Sequence, residues 1–129
     1  MKKIIFAWLA TLLLIFFCSA STAEEATYAG MVYPAGKAVS LQRPQAYGTE
    51  ILVINNTPEP ITVEVPGKLY DKMPGNGVYR ISSLYRVGTL QIRLWHPIYG
   101  YFDNFVSSYS VVSLSVQYGA PHIITVEYH

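Results

Sequence analysis

Residues 95–105 carry the side chains of the chain that are best suited to contact a ligand. The segment reads Trp-His-Pro-Ile-Tyr-Gly-Tyr-Phe-Asp-Asn-Phe and directly follows a stretch of alternating apolar and polar residues. Its proline and glycine predict a loop, and loops at the surface carry binding residues more often than strands do. Exposed aromatic rings can stack on sugar rings, anchor a partner protein or lie at a membrane interface. We therefore predict an aromatic loop whose ligand-binding residues are Trp95, Tyr99, Tyr101 and Phe102.

A structural role for the same stretch stays open at the level of sequence. Its apolar side chains could fold back and cap one end of the core, and the residues concerned would be Trp95, Ile98, Phe102 and Phe105. The eleven tyrosines of the chain have the same two interpretations, because tyrosine suits both a half-buried strand and an adaptable binding surface.

The histidines and carboxylates predict no metal site and no cofactor. His96, His122 and His129 lack the spacing of a zinc motif, and the acidic residues are scattered without a calcium-binding loop. The serines lack the Gly-x-Ser-x-Gly setting of a hydrolase nucleophile. We therefore expect no catalytic residue and a protein that is not an enzyme.

The N-terminus has the three-part layout of a secretory signal peptide. Lys2 and Lys3 precede an apolar stretch at residues 4–18, and small residues follow at positions 21 and 23. The apolar stretch is shorter than the roughly 20 residues that a membrane-spanning helix needs. We predict cleavage of residues 1–23 and a periplasmic or extracellular location.

Three alternatives to this cleavage remain: an uncleaved N-terminal anchor, cleavage after Ala20, and lipidation of Cys18. Phe17 before the cysteine is a poor fit to a lipoprotein signal. Cys18 is the only cysteine of the chain, so cleavage of residues 1–23 leaves no thiol, disulfide or cysteine-ligated metal.

Length and charge limit the remaining possibilities. A chain of 129 residues favours a single folded domain, and no internal repeat is present. Nine basic residues against eight acidic ones give a formal net charge of +1, with no basic cluster, so no nucleic-acid partner is expected.

Hydrophobic patterning after residue 23 has the period of two that is typical of half-buried strands. Alternation marks residues 61–65, 89–94, 111–118 and 123–128, and a continuous apolar run at 50–54 predicts a strand covered on both faces. Further candidate strands are 31–33, 37–42 and 77–82.

Turn residues separate these strands. The polar, proline-containing stretch 55–60 and the Gly-Ala-Pro at 119–121 each predict a hairpin. Residues 68–73 are expected to form a long hairpin loop, with a recognition loop as the alternative. We predict an all-β, antiparallel β-sandwich of seven or eight strands, immunoglobulin-like, with a small β-barrel as the alternative. The expected domain covers residues 37–129, preceded by an extended lead-in at 24–36.

These features predict an exported, non-catalytic binding module with its contact surface at the aromatic loop 95–105. Its partner would be a protein, a glycan or a membrane-surface ligand. The alternative is a structural or assembly subunit that pairs through an exposed strand edge. Sequence does not predict the oligomeric state.

Overall fold

The computed structural model describes residues 28–41 and 48–128, and these residues form nine strands and no helix. The predicted signal peptide lies outside the described residues. The strands are β1 (Tyr28–Tyr33), β2 (Thr49–Asn56), β3 (Ile61–Val65), β4 (Leu69–Met73), β5 (Val78–Ser83), β6 (Thr89–His96), β7 (Gly100–Ser107), β8 (Tyr109–Gln117) and β9 (Ala120–Glu127).

The strands form two sheets packed face to face. One has five strands in the order β1-β5-β2-β8-β9, and the other has four in the order β4-β3-β6-β7. The described neighbours pair antiparallel except β2 and β8, which run parallel at the centre of the larger sheet. Strand β1, within the segment expected as a lead-in, pairs with β5 at an edge of that sheet.

The predicted β-sandwich is confirmed, and the barrel alternative is wrong because both sheets are open. The described residues contain nine strands instead of seven or eight. The strand order also differs from the ABED and CFG sheets of immunoglobulin constant domains, since β1 and β2 flank β5 and β2 pairs in parallel with β8.

The core lies between the sheets and follows from the alternation in sequence. Every second residue of β3 and of β6 is fully or almost fully buried, as with Val63 and Leu94. Ile51, Val53 and Tyr79 face them from the five-stranded sheet. Burial of such side chains contributes about 1.5–3 kcal/mol each, so this alternation stabilises the fold without any disulfide.

Strand β2 is covered on both faces, as its continuous apolar run predicts. Leu52, on the outer face, is only 2% exposed. On the same face Arg80 Nε lies 3.1 Å from Glu50 Oε1, and Arg80 Nη2 donates to the Ser40 carbonyl at 2.9 Å. The chain around residue 40 therefore lies against this sheet. Residues 37–41 form no strand there, and residue 42 of that predicted strand lies outside the described residues.

The hairpin predicted at residues 55–60 is wrong, because this connection crosses from one sheet to the other. The buried Asn55 side chain fixes the crossing by donating to the carbonyl groups of Glu59 and Pro74, at 2.9 and 3.1 Å. Its Oδ1 accepts a hydrogen bond from the Thr57 hydroxyl. The hairpin predicted around 119–121 is confirmed, since β8 and β9 pair there across a tight turn.

Two strands lie where loops were predicted. Residues 69–73, inside the expected hairpin loop, form the edge strand β4, and most of the expected aromatic loop belongs to β6 and β7. Both β4 and β7 are edge strands with charged residues on their outer side, and this mixture of charged and apolar residues weakens the signal of a strand.

Candidate functional site

The outer face of the four-stranded sheet carries a cluster of aromatic and charged side chains. Strands β6 and β7 form a hairpin whose register places outward-facing residues opposite one another: Trp95 and Tyr101, Arg93 and Asp103, Gln91 and Phe105. Residues 97–99 form its turn, and Gly100 follows with a φ of 82°. Most of the segment expected to be a loop is thus held on a sheet.

The aromatic rings of this face are accessible. Trp95, Tyr101 and Phe105 are 37%, 54% and 68% exposed. Ile98 in the turn is 65% exposed, so the alternative in which this segment caps the core is wrong for Trp95, Ile98 and Phe105. Alternation along each strand turns these rings away from the core.

Trp95 and Tyr101 form a fixed pair. Their ring centroids are 5.0 Å apart, and the ring planes are inclined by 45°. The indole Nε1–H of Trp95 donates to Glu64 Oε1 on the neighbouring strand β3 at 3.0 Å. An aromatic pair and a hydrogen bond together hold the indole in one orientation while the residue stays 37% exposed.

Arg93 supports the same pair from the next position along the sheet. Its guanidinium lies 4.8 Å from the Tyr101 ring centroid and 5.8 Å from that of Trp95, within the range of a cation–π interaction. It also binds Asp103 in a bidentate manner, at 2.7 and 3.1 Å. The hydrogen bonds that Arg93 donates to Asp103 lower the pKa of Asp103 and raise the pKa of Arg93, so both groups remain charged over a wide pH range.

The other two predicted site residues lie elsewhere. Phe102 is opposite the buried Leu94 and shares the inner side of the hairpin, where it is partly buried. Tyr99 lies in the turn, and its ring packs on His96 at a centroid distance of 5.0 Å. Sequence reasoning missed this division because a loop has no fixed alternation, whereas a hairpin sends neighbouring residues to opposite faces.

His96 is buried at the end of β6, and its surroundings explain its position. Nδ1 accepts hydrogen bonds from the backbone N–H groups of Ile98 and Tyr99, at 3.1 and 3.4 Å, which fixes the turn. Nε2 lies 3.4 Å from Glu59 Oε2. Nowhere in residues 28–41 and 48–128 do three or more histidine, cysteine or carboxylate side chains converge as potential metal ligands.

A pocket of about 360 Å³ lies beside the indole of Trp95. It is lined by Pro60, Ile61, Thr62, Lys72, Trp95, His96 and Pro97. The sheet register explains this grouping, because Lys72 on β4 and Trp95 on β6 both lie opposite Thr62 on β3. Sequence reasoning missed Thr62 and Lys72, because nothing in the local pattern places them in line with Trp95.

Comparisons of the chain with protein-family models, with curated proteins and with solved structures give no match. In the part of the chain that the structure describes, no helix has the length and apolar character needed to cross a membrane.

Proposed function

We propose that the protein is an exported, non-catalytic binding module whose contact surface is the outer face of the four-stranded sheet around Trp95 and Tyr101. The observation that carries the proposal is the accessible Trp95–Tyr101 pair, held in place by Glu64 and Arg93. Export rests on the signal-peptide pattern of residues 1–23.

The physical support is the low entropic cost of binding to such a pair. Side chains that a ligand must immobilise cost about 0.5–1.5 kcal/mol each. The indole of Trp95 is already fixed by its hydrogen bond to Glu64, and the backbone beneath it belongs to a paired strand. Rigid, amphipathic aromatic residues of this kind are the usual anchors of binding surfaces.

The proposal is tested by comparing variants on a panel of immobilised probes. The panel consists of uncharged polysaccharides, a polyuronate, and vesicles with and without anionic lipid. We expect Trp95→Ala and Tyr101→Ala to abolish retention on the probe that binds the unaltered protein. Phe105→Ala is the matched control, because Phe105 is an exposed aromatic residue of the same face that belongs neither to the pocket lining nor to the Trp95–Tyr101 pair.

Retention that depends on neither Trp95 nor Tyr101 would contradict the proposal. If Trp95→Ala also lowers the midpoint of unfolding, its loss of retention would reflect lost stability and not a lost contact with the probe. Tyr101→Ala then serves as the second test, because Tyr101 is more exposed than Trp95.

The second candidate, an assembly subunit, is favoured by the edge strand β9. Ile124 and Val126 lie on this strand and are 58% and 45% exposed, an unusual apolar character for an edge. This candidate predicts concentration-dependent oligomers in sedimentation that persist in the Trp95→Ala protein and are lost in Ile124→Lys. A monomer at all concentrations would contradict it.

A further inference from the structure

We propose that the pocket beside Trp95 binds one pyranose unit of an uncharged glycan. This inference rests on the proposed function and specifies its ligand class. The pocket volume of about 360 Å³ lies at the lower end of the range for small-molecule sites, 300–1,000 Å³, and therefore suits a single ring.

The walls of the pocket match the apolar side of a sugar ring. Trp95 lines the pocket, and an indole is a group on which the C–H face of a pyranose can stack. Pro60 and Pro97 line the pocket as well. Proline fixes its own φ, so these walls lose little conformational freedom when a ligand binds.

The polar groups of the pocket match the hydroxyl side of the same ring. A sugar hydroxyl both donates and accepts hydrogen bonds, so it is best satisfied where donors and acceptors lie side by side. Lys72 supplies donors, and in the described part of the chain no hydrogen bond or ion pair engages its ammonium group. Thr62, also in the lining, supplies a hydroxyl that can both donate and accept.

The charges of this face favour an uncharged ligand. Its four ionised side chains are Glu64, Lys72, Arg93 and Asp103, two of each sign, and Arg93 and Asp103 already neutralise each other. Glu59, one third exposed beside His96, adds negative charge at the same end of the sheet. A polyuronate or an anionic lipid surface would meet no net positive field here.

The same charges oppose a membrane as the occupant. Insertion into lipid would bury ionised groups, which is costly even for paired charges. A protein partner would need to cover about 800 Å² of this chain, far more than the pocket itself. A glycan needs only the pocket and its rim.

The test is titration calorimetry with uncharged glucan, mannan and xylan oligosaccharides and, as probes of the alternatives, oligouronates and anionic vesicles. We expect binding of at least one uncharged series. Thr62→Val keeps the shape of the side chain and removes its hydroxyl, so it should weaken binding about three- to tenfold. Lys72→Met should weaken it by a similar factor, and Phe105→Ala should leave it unchanged.

The outcomes separate the two proposals. If an oligouronate or a vesicle binds in a Trp95-dependent manner and no uncharged series does, the contact surface stands and the ligand class is wrong. If an uncharged series binds but Thr62→Val and Lys72→Met leave the affinity unchanged, the pocket is not the site. Failure of every probe to bind through Trp95 overturns both.

Discussion

At the scale of single residues, the contact between Gly30 and Tyr79 leaves no room for a side chain at position 30. A Cβ on Gly30 would overlap the Tyr79 hydroxyl oxygen and lie 2.5 Å from Cζ. The Tyr79 hydroxyl cannot move away freely, because it donates a hydrogen bond to Asp71 Oδ2 at 3.0 Å. Burial and this hydrogen bond both raise the pKa of Tyr79, so the hydroxyl stays protonated and remains a donor.

We therefore expect Gly30→Ala to lower the free energy of unfolding by about 1–3 kcal/mol, the usual cost of overpacking a core. Urea unfolding measures this change. The loss should be smaller in a Tyr79→Phe background, because the nearest clashing atom is then absent. An equal loss in both backgrounds would refute the overlap as the cause.

The Arg93–Asp103 pair gives the stability a dependence on pH with a definite sign. The hydrogen bond from Arg93 lowers the pKa of Asp103 in the folded protein, so this pair stabilises the fold above the unfolded pKa of about 3.9. That contribution is lost as the pH falls below this value through the lower folded pKa.

Between pH 5 and pH 2 the unaltered protein should accordingly lose more stability than Asp103→Asn, as followed by the urea midpoint. Asp103 is exposed and Arg93 is half-buried, so solvent ions reach the pair and the difference should shrink in 1 M salt. A steeper loss in the variant would contradict this assignment.

Sequence predicted the two outward aromatic residues of the site but not the residues around them. Trp95 and Tyr101 stand out by type alone. Glu64 and Lys72 are ordinary charged residues of other strands, and only the register of β3 with β6 and β4 brings them next to the indole. Such pairing depends on which strands are neighbours, and local periodicity carries no information about that.

At the scale of elements, the prediction failed at β4 and β7, the two edge strands of the four-stranded sheet. The alternation in β3 and β6 is clean because their inner faces are fully buried. Strand β7 has aromatic residues on both faces, with Tyr101 outward and Phe102 inward, so no period of two is visible. Pro97 and Gly100 marked a turn correctly, but the turn is shorter than the predicted loop.

The β8–β9 hairpin offers a test at this scale. Tyr118 and Gly119 form its turn with φ values of 53° and 75°, the left-handed conformation of a type I′ turn. Tyrosine is unfavourable there, and its side chain is fully exposed and gains no packing. Tyr118→Asn should raise the free energy of unfolding by about 0.5–1 kcal/mol.

Gly119→Ala is the control for that turn. Gly119 also has a positive φ, at which a side chain is strained, so this variant should lower the free energy of unfolding. Thermal unfolding of both variants measures the two changes in stability. Destabilisation by Tyr118→Asn would mean that the tyrosine makes a stabilising contact.

At the scale of the whole molecule, the period of two and the absence of helical periodicity predicted the β-sandwich, but its topology needed the structure. The crossing at residues 55–60 illustrates the reason. Short polar connections are typical of hairpins, yet here buried Asn55 bridges the carbonyls of Glu59 and Pro74 and carries the chain to the other sheet. A side chain that satisfies distant backbone groups overrides the local preference for a hairpin.

This topology also predicts slow folding. The central β2–β8 pair joins strands separated by more than fifty residues, and β1 pairs with β5 across a similar gap. Closing such loops precedes the gain from pairing, so refolding after dilution from urea should take milliseconds to seconds. Stopped-flow fluorescence measures this rate, and refolding in microseconds would contradict it.

The emission of Trp95 tests most directly the claim that the outer face of the four-stranded sheet is a contact surface. Trp8→Phe leaves Trp95 as the only tryptophan whether or not the signal peptide is removed. We predict a red-shifted emission that acrylamide quenches, and that moves to the blue and becomes protected when an uncharged polysaccharide is added. An emission that is blue and unquenched in the protein alone would contradict this account. An exposed indole whose emission no uncharged polysaccharide changes would contradict the assignment of an uncharged glycan as the ligand.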